Sequence, residues 1–366
     1  MPKKTIAVIF GGVSSEYEVS LLSASSLLQN IPLNKYDPVM IGITKSGRWL
    51  RYTGDPANLP NDKWLQDNSL LTPAFISPDR NIGGLILLNG NSYSTLKLDV
   101  IFPVLHGKNG EDGTIQGLFE IAGIPYVGCD VISSAMCMDK AITHTILDKI
   151  GIPTAKWQQI LLSEMDNYPA VENRLVSSLG FPMFIKPANA GSSVGVSKAK
   201  TVADLKAALD TAFNEDTKVI AEVAIVGAEV ECAVLGNHDA VAASVVGELT
   251  PAAEFYDYNA KYISGTTELH IPARIPQQIS ELIRTTAVAA YKALGCSGLA
   301  RVDFFAKPDG SILLNEINTL PGFTSISMYP KMWQAAGVSY SDLIDKLIVY
   351  ALNREVNNMT AKDKFI

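Results

Sequence analysis

At 366 residues the chain is too long for one ordinary hydrophobic core, and its length favours two or three domains. Hydrophobic residues make up 47% and charged residues 18%, close to the globular average, which excludes a disordered or fibrous chain. A formal net charge of −7 gives no electrostatic reason to bind nucleic acid or an anionic membrane, and no apolar run reaches the roughly 18 residues of a membrane span.

The N-terminal MPKKTIAVIFGG has too short an apolar stretch for a signal segment and fits a first strand, so a cytoplasmic protein is expected. TIAVIF over 5–10 leads through Gly11-Gly12 into a helix from Ser15 to about Leu28. VMIGIT near 39–44 and DVIFPVL near 99–105 are further strands, and together they predict a parallel α/β sheet. Residues 51–97 carry Pro, Asn and Gly and one hairpin signal at Asn89-Gly90; this stretch reads as elaboration. Helices follow near 114–122 and 138–150, each stopped by Gly and Pro. FPMFIKP, the loop ANAGSS, VGVSK, a helix near 202–213 and KVIAEV form a small α+β unit. A third unit holds EVECAVLG, a polar loop from Glu254 to His270, a helix near 277–294 and the hairpin GLARVDFFAKPDGSILLNEIN. Cys129, Cys137, Cys232 and Cys296 lack CxxC spacing, which argues against a zinc site or disulfide framework and for reduced, packed thiols.

In that last hairpin, strand residues two apart share a face, so Arg301 goes with Asp303 and Glu316 with Asn318. Pro308-Asp309-Gly310 is good turn chemistry; with Lys307 opposite Gly310, Arg301 would face Glu316 with Asp303 its diagonal neighbour, a register that a bulge would shift. Two carboxylates and an amide beside an arginine make a hard-oxygen site of the kind Mg²⁺ takes along with nucleotide phosphates. A solvated strand face with an incidental Arg–Glu pair is the plain alternative for an isolated hairpin. The following loop, TLPGFTS, would let a ligand approach the backbone closely, which favours the metal reading.

AGSSVGVS, with Gly191, Ser192, Ser193 and Gly195, could cover phosphates or be only a tight turn. Lys186, ending the apolar FIKP, tips this toward phosphate, because a charge in a plain core is costly. Lys140 on its own reads as a solvated helix residue. Neither GxxxxGK[ST] nor G-x-G-x-x-G is present, which leaves a P-loop enzyme or nicotinamide dehydrogenase without its fingerprint. Glu222 and Glu229 flank VAIVG, whose free backbone groups could read an adenine edge.

Taken in order, GGVSSEYEVSL, HGKNGEDG, MDK, FIKPANAGSSVGVSK, YDYNAKY, ARVDFF and NEINTLPGFTS resemble the ATP-grasp superfamily, specifically the D-alanine–D-alanine ligases and the related vancomycin-resistance ligases. The resemblance implies α/β and α+β architecture in three ATP-grasp domains: a Rossmann-like 1–128, a central 129–228 with the flap, and a C-terminal 229–366. It implies ATP gripped between the last two, with Lys140, Lys186, Ser192, Ser193 and Lys261 toward the nucleotide. Glu222, Val223, Ile225 and Glu229 would hold the adenosine, and Asp303, Glu316 and Asn318 two magnesium ions, or manganese. Arg301 would stabilise the acyl phosphate. Glu16 would bind the first D-alanine with Ser192 and Tyr262 closing over it, and Gly322 and Ser327 the second. His106 falls near the reacting groups in the family, and as a lone residue it could equally be structural. A homodimer is expected. SSEYEVSL, HGKNGEDG and NEINTLPGFTS are similar to the D-serine-incorporating ligases, but the Lys261-Tyr262 pair and an apolar Met328 in place of an arginine suit a methyl side chain. D-alanine is therefore the expected acceptor, with D-serine second.

Overall fold

The computed structural model describes residues 2–237, 240–250 and 268–362. In β1 (Lys4–Gly11) Ile6, Val8 and Phe10 enter one core, and Ala7 and Ile9 enter another on the opposite face. Both faces are covered, so the strand reads as a continuous apolar run. After α1 (Tyr17–Asn30), β2 (Tyr36–Ile43) pairs parallel with β1, and β7 (Val100–Val104) does so on the other side. Between them β3 (Trp49–Tyr52), β4 (Leu71–Ile76), β5 (Gly84–Asn89) and β6 (Ser92–Lys97) extend the sheet antiparallel to the order β6-β5-β4-β3-β2-β1-β7. The three strands predicted as a parallel sheet do pair so, and the stretch read as elaboration adds four antiparallel strands to them. The short turns after β2 and β5 have no room for a crossover, and parallel pairing is confined to three strands. The hairpin at Asn89-Gly90 forms as its sequence suggests. α2 (Thr114–Ala122) then lays Ile115 and Phe119 on the second face.

The helix predicted near 138–150 forms as α4 (Lys140–Ile150), and a helix that was not predicted, α3 (Val131–Met138), precedes it. They break at Asp139, whose carboxylate accepts from the N–H groups of Ala141 and Ile142, 3.1 Å each, and so caps the second. β8 (Trp157–Leu161), α5 (Tyr168–Ser178), β9 (Met183–Pro187), β10 (Ser197–Ala199), α6 (Val202–Phe213) and β11 (Lys218–Val223) follow. They make an antiparallel sheet, β10-β9-β11-β8, with Leu175, Leu205 and Leu209 of the helices packed against Ile185 and Val219. The strand expected at VGVSK shrinks to β10. Ser192 and Ser193 take left-handed φ of 50° and 59°, and turns close at Val194 and Val196, so the loop runs three residues further.

The third sheet, β14-β13-β12-β15-β16, is built from β12 (Ala228–Asn237), β13 (Ala240–Thr250), β14 (Glu268–His270), β15 (Gly298–Ala306) and β16 (Ile312–Asn318). α7 (Gln277–Ala293) covers one face with α3 and α4, burying Cys137, Leu147, Ile283 and Tyr291 against Val302 and Ile317. On the other face α8 (Met328–Ala335) and α9 (Tyr340–Lys362) share a single core with Val8, Phe10 and Leu21 of the first unit. That shared core fixes the first unit against the third. The four cysteines are free and buried, with Cys137 and Cys296 sulfurs 3.7 Å apart. Among the described residues no helix is long and apolar enough to cross a membrane.

Candidate active site

The β15–β16 hairpin closes through Pro308-Asp309-Gly310. Lys307 N–H donates to Ser311 O at 2.9 Å, Gly310 N–H donates to Lys307 O at 3.0 Å, and Gly310 has φ 83°. Ala306 therefore pairs with Ile312, and a bulge at Asn315 shifts the register again before Asp303 meets Glu316 and Arg301 meets Asn318. This corrects the expected pairing of Arg301 with Glu316: the left-handed glycine and the bulge each add a residue. The outcome favours a metal site more than the predicted register did, because the two carboxylates now stand directly opposite. Asn318 Nδ2 lies 3.0 Å from Asp303 Oδ2 and 3.5 Å from Glu316 Oε1, which ties the three side chains together. Among the described residues no three His, Cys, Asp or Glu side chains form a metal cluster of their own. The donor set of two carboxylates and an amide fits a hard cation that keeps waters and takes phosphate oxygens for its remaining positions. Arg301 donates to Asp303 through Nε at 2.8 Å and Nη2 at 2.7 Å, and pairs with Glu231 at 3.0 Å. Burial works against its charge, but these acids outweigh it and Arg301 remains a cation.

Two cavities meet at this cluster. The first runs between the second and third sheets and is lined by Lys140, Lys186, Ser192, Ser193, Glu222, Val223, Ile225, Glu229, Asp303 and Glu316. Lys140 Nζ donates to Ala190 O at 2.6 Å, which anchors the loop to α4. Lys186 Nζ reaches Glu222 Oε2 at 2.5 Å and Asn315 Oδ1 at 3.4 Å. Burial raises the Glu222 carboxyl, but Lys186 and then His144 more than offset it and hold it down at about 2. Glu222 is therefore a buried anion with partners. The N–H of Val223 is spent on Lys156 O at 2.9 Å.

The second cavity is lined by Glu16, His106, Ser192, Arg301, Glu316, Asn318, Gly322, Ser327 and Met328. Glu16 heads α1 and accepts from the Ser192 hydroxyl, joining the first unit to the loop of the second. A Cβ at Gly107 would stand 2.4 Å, and one at Gly191 2.9 Å, from Glu16 Oε2, so a side chain at either position would displace the Glu16 carboxylate. His106 has both nitrogens engaged: Nδ1–H donates to Leu320 O at 2.8 Å, and Nε2 accepts from the Ser23 hydroxyl at 3.1 Å. Burial lowers its pKa, so it is a neutral strut for the Leu320–Gly322 turn. A Cβ on Gly322 would sit 3.1 Å from Ser327 Oγ; Ser327 starts α8, and its hydroxyl accepts from Thr324 N–H at 3.0 Å.

Every predicted site residue among the described ones lines one cavity or the other; Lys261 and Tyr262 lie outside the described residues. Sequence reasoning gave no role to Glu111, Glu231, Asn315 or Lys331, which also line them. Glu231 was within reach, since EVECAV puts it two residues from Glu229 on one strand face. Asn315 was not, because only the bulge turns it inward.

Family models described as the D-ala D-ala ligase N-terminus and C-terminus match residues 5–129 and 146–349. The chain is 52% identical to a D-alanine–D-alanine ligase of Acetivibrio thermocellus, with 99% of each covered. Its fold is similar to that of the VanG D-Ala:D-Ser ligase from Enterococcus faecalis, with TM-score 0.88, 46% identity, and 96% and 100% coverage of this chain and that one. It is similar too to the D-alanine–D-alanine ligase from Coxiella burnetii, with TM-score 0.86, 35% identity and 99% of each covered.

Proposed function

The chain belongs to the D-alanine–D-alanine ligase family, and from that footing we propose that it joins two D-alanines through a D-alanyl phosphate made from ATP, as a cytoplasmic enzyme of peptidoglycan precursor synthesis. The observation that carries the reading is that the two cavities share Gly191, Ser192, Glu231 and Glu316. A phosphoryl group leaving the first meets a carboxylate in the second with nothing to cross. We divide the chain at 1–128, 129–228 and 229–366, with ATP between the last two units.

A carboxylate is a poor electrophile, and phosphorylation gives it a good leaving group. Asp303, Glu316 and Asn318 would hold magnesium, two ions that manganese can replace, which supplies neutralisation of phosphate charge. Lys140 and Lys186 hold phosphates, with Ser193 above them, while Glu222, Val223, Ile225 and Glu229 hold adenosine. Glu16, with Ser192, takes the ammonium of the first D-alanine and so aims its carboxylate at Arg301. Arg301 receives the charge that develops as that carboxylate is phosphorylated and as the tetrahedral intermediate collapses. Gly322 and Ser327 seat the second D-alanine, whose amine attacks. His106 keeps their loop in place.

For the acceptor, Met328 is buried at the end of the second cavity, where a Cβ on Gly247 would strike its Cε at 2.3 Å. An apolar wall suits a methyl group and leaves a hydroxymethyl group without a partner. Relatives named D-alanine–D-alanine ligase support the same choice. For assembly we propose a homodimer, which light scattering would read as twice 39.4 kDa.

The acyl phosphate is tested with D-alanine carrying heavy oxygen in its carboxylate. One labelled oxygen passes to inorganic phosphate if the carboxylate attacks ATP. Unlabelled phosphate released during dipeptide formation would contradict the mechanism.

A further inference from the structure

One buried polar side chain stands beside the first cavity without lining it. His144, on α4, is 1% exposed, and its Nε2 lies 2.9 Å from Glu222 Oε1. A carboxylate anion only accepts, so the proton is on Nε2 and the ring donates. Lys186 serves the other oxygen of Glu222. The imidazole stacks on Trp157, centroids 5.3 Å apart and 30° between planes, and its Nδ1 has no hydrogen-bond partner among the described residues. A histidine kept for structure alone satisfies both nitrogens, as His106 does. His144 satisfies only the one that meets Glu222.

Glu222 and Lys186 line the cavity together, yet Lys186 is also the cation expected to meet phosphate. When it turns to phosphate, a buried carboxylate is left behind, and a buried anion without a partner is expensive. A second donor that never leaves removes that conflict.

We infer that His144 is a positioning residue for the adenine end of the site: it holds the Glu222 carboxylate toward the exocyclic amine of an adenine at Val223 and Ile225, and releases Lys186 for phosphate. The inference rests on the nucleotide reading of the first cavity. An acceptor-only carboxylate fixed in this way favours a 6-amino purine over a 6-oxo one, so His144 also contributes to base selection.

The test is steady-state kinetics with ATP and with inosine triphosphate on His144→Ala, His144→Gln, His144→Asn and Glu222→Gln. Losing one charge-assisted hydrogen bond predicts about a tenfold rise in KM for ATP in His144→Ala, with kcat and KM for D-alanine within about twofold, and a smaller preference for ATP over inosine triphosphate. Gln can bring an amide N–H to the place of Nε2 and should return KM to within about threefold of the native value, whereas the shorter Asn cannot. If His144→Ala folds poorly, the Gln and Asn pair decides, and equal KM values for the two overturn the inference. A raised KM in Glu222→Gln with native KM values in His144→Ala and His144→Asn would overturn the role of His144 alone. A native KM in Glu222→Gln would remove the nucleotide reading, and the inference with it.

Discussion

Glu111 illustrates how one side chain can carry both architecture and chemistry. Its carboxylate accepts from Gly107 N–H at 2.8 Å and Leu320 N–H at 3.0 Å, so it stitches the loop that packs on Glu16 to the turn that leads to Gly322. Burial, and then the nearby Glu16, push its pKa up to about 8 from an ordinary 4.5. Across that window the folded chain keeps a proton that the unfolded chain has lost, so stability falls as pH rises from about 4.5 to about 8 and levels off above. Glu111→Gln cannot titrate. Whatever fixed cost the amide brings, the thermal midpoint of the variant relative to native should improve between about pH 5 and about pH 8. A difference independent of pH would contradict the raised pKa. Glu111 sits in the quoted motif HGKNGEDG, yet nothing local marks it: its second partner, Leu320, is brought in by the fold.

At the level of elements, the β15–β16 hairpin owes its register to backbone chemistry. Gly310 at φ 83° would bear a Cβ that meets only Ile279 Cδ1, at 3.7 Å, so Gly310→Ala meets no packing clash and suffers only the left-handed backbone penalty. The expected loss is about 1 kcal/mol in urea unfolding, with KM values unchanged. A native midpoint would show that the turn can relax. The same hairpin shows what a sequence discloses. Period-two alternation put Arg301 with Asp303 and Glu316 with Asn318 on one face. The pairing between strands depended on a bulge at Asn315 and a three-residue turn, neither of which alternation encodes. Likewise, apolar periodicity located the helix at Lys140–Ile150, while the one before it, Val131–Met138, went unread; the capping carboxylate of Asp139 separates the two.

For the whole molecule, the residues with recognisable spacing were legible and those that depend on distant contacts were not. TIAVIF announced β1 because both of its faces are buried, but the antiparallel β3–β6 extension came from a stretch too rich in turns to order. Lys186 and Glu222 were readable as charges at strand ends; His144 was not, since it arrives from α4 across the second sheet. What unites these parts is geometric: a core shared by the first and third units, and a loop at Ser192 tied to Glu16, leave two cavities opening on one acidic cluster. The central claim, that this arrangement ligates D-alanine to D-alanine, is most directly tested by product analysis with Mg-ATP and equal D-alanine, D-serine and D-lactate. Mainly D-alanyl-D-alanine is predicted, with one phosphate released per dipeptide. Mainly D-alanyl-D-serine, or phosphate release without dipeptide, would contradict it.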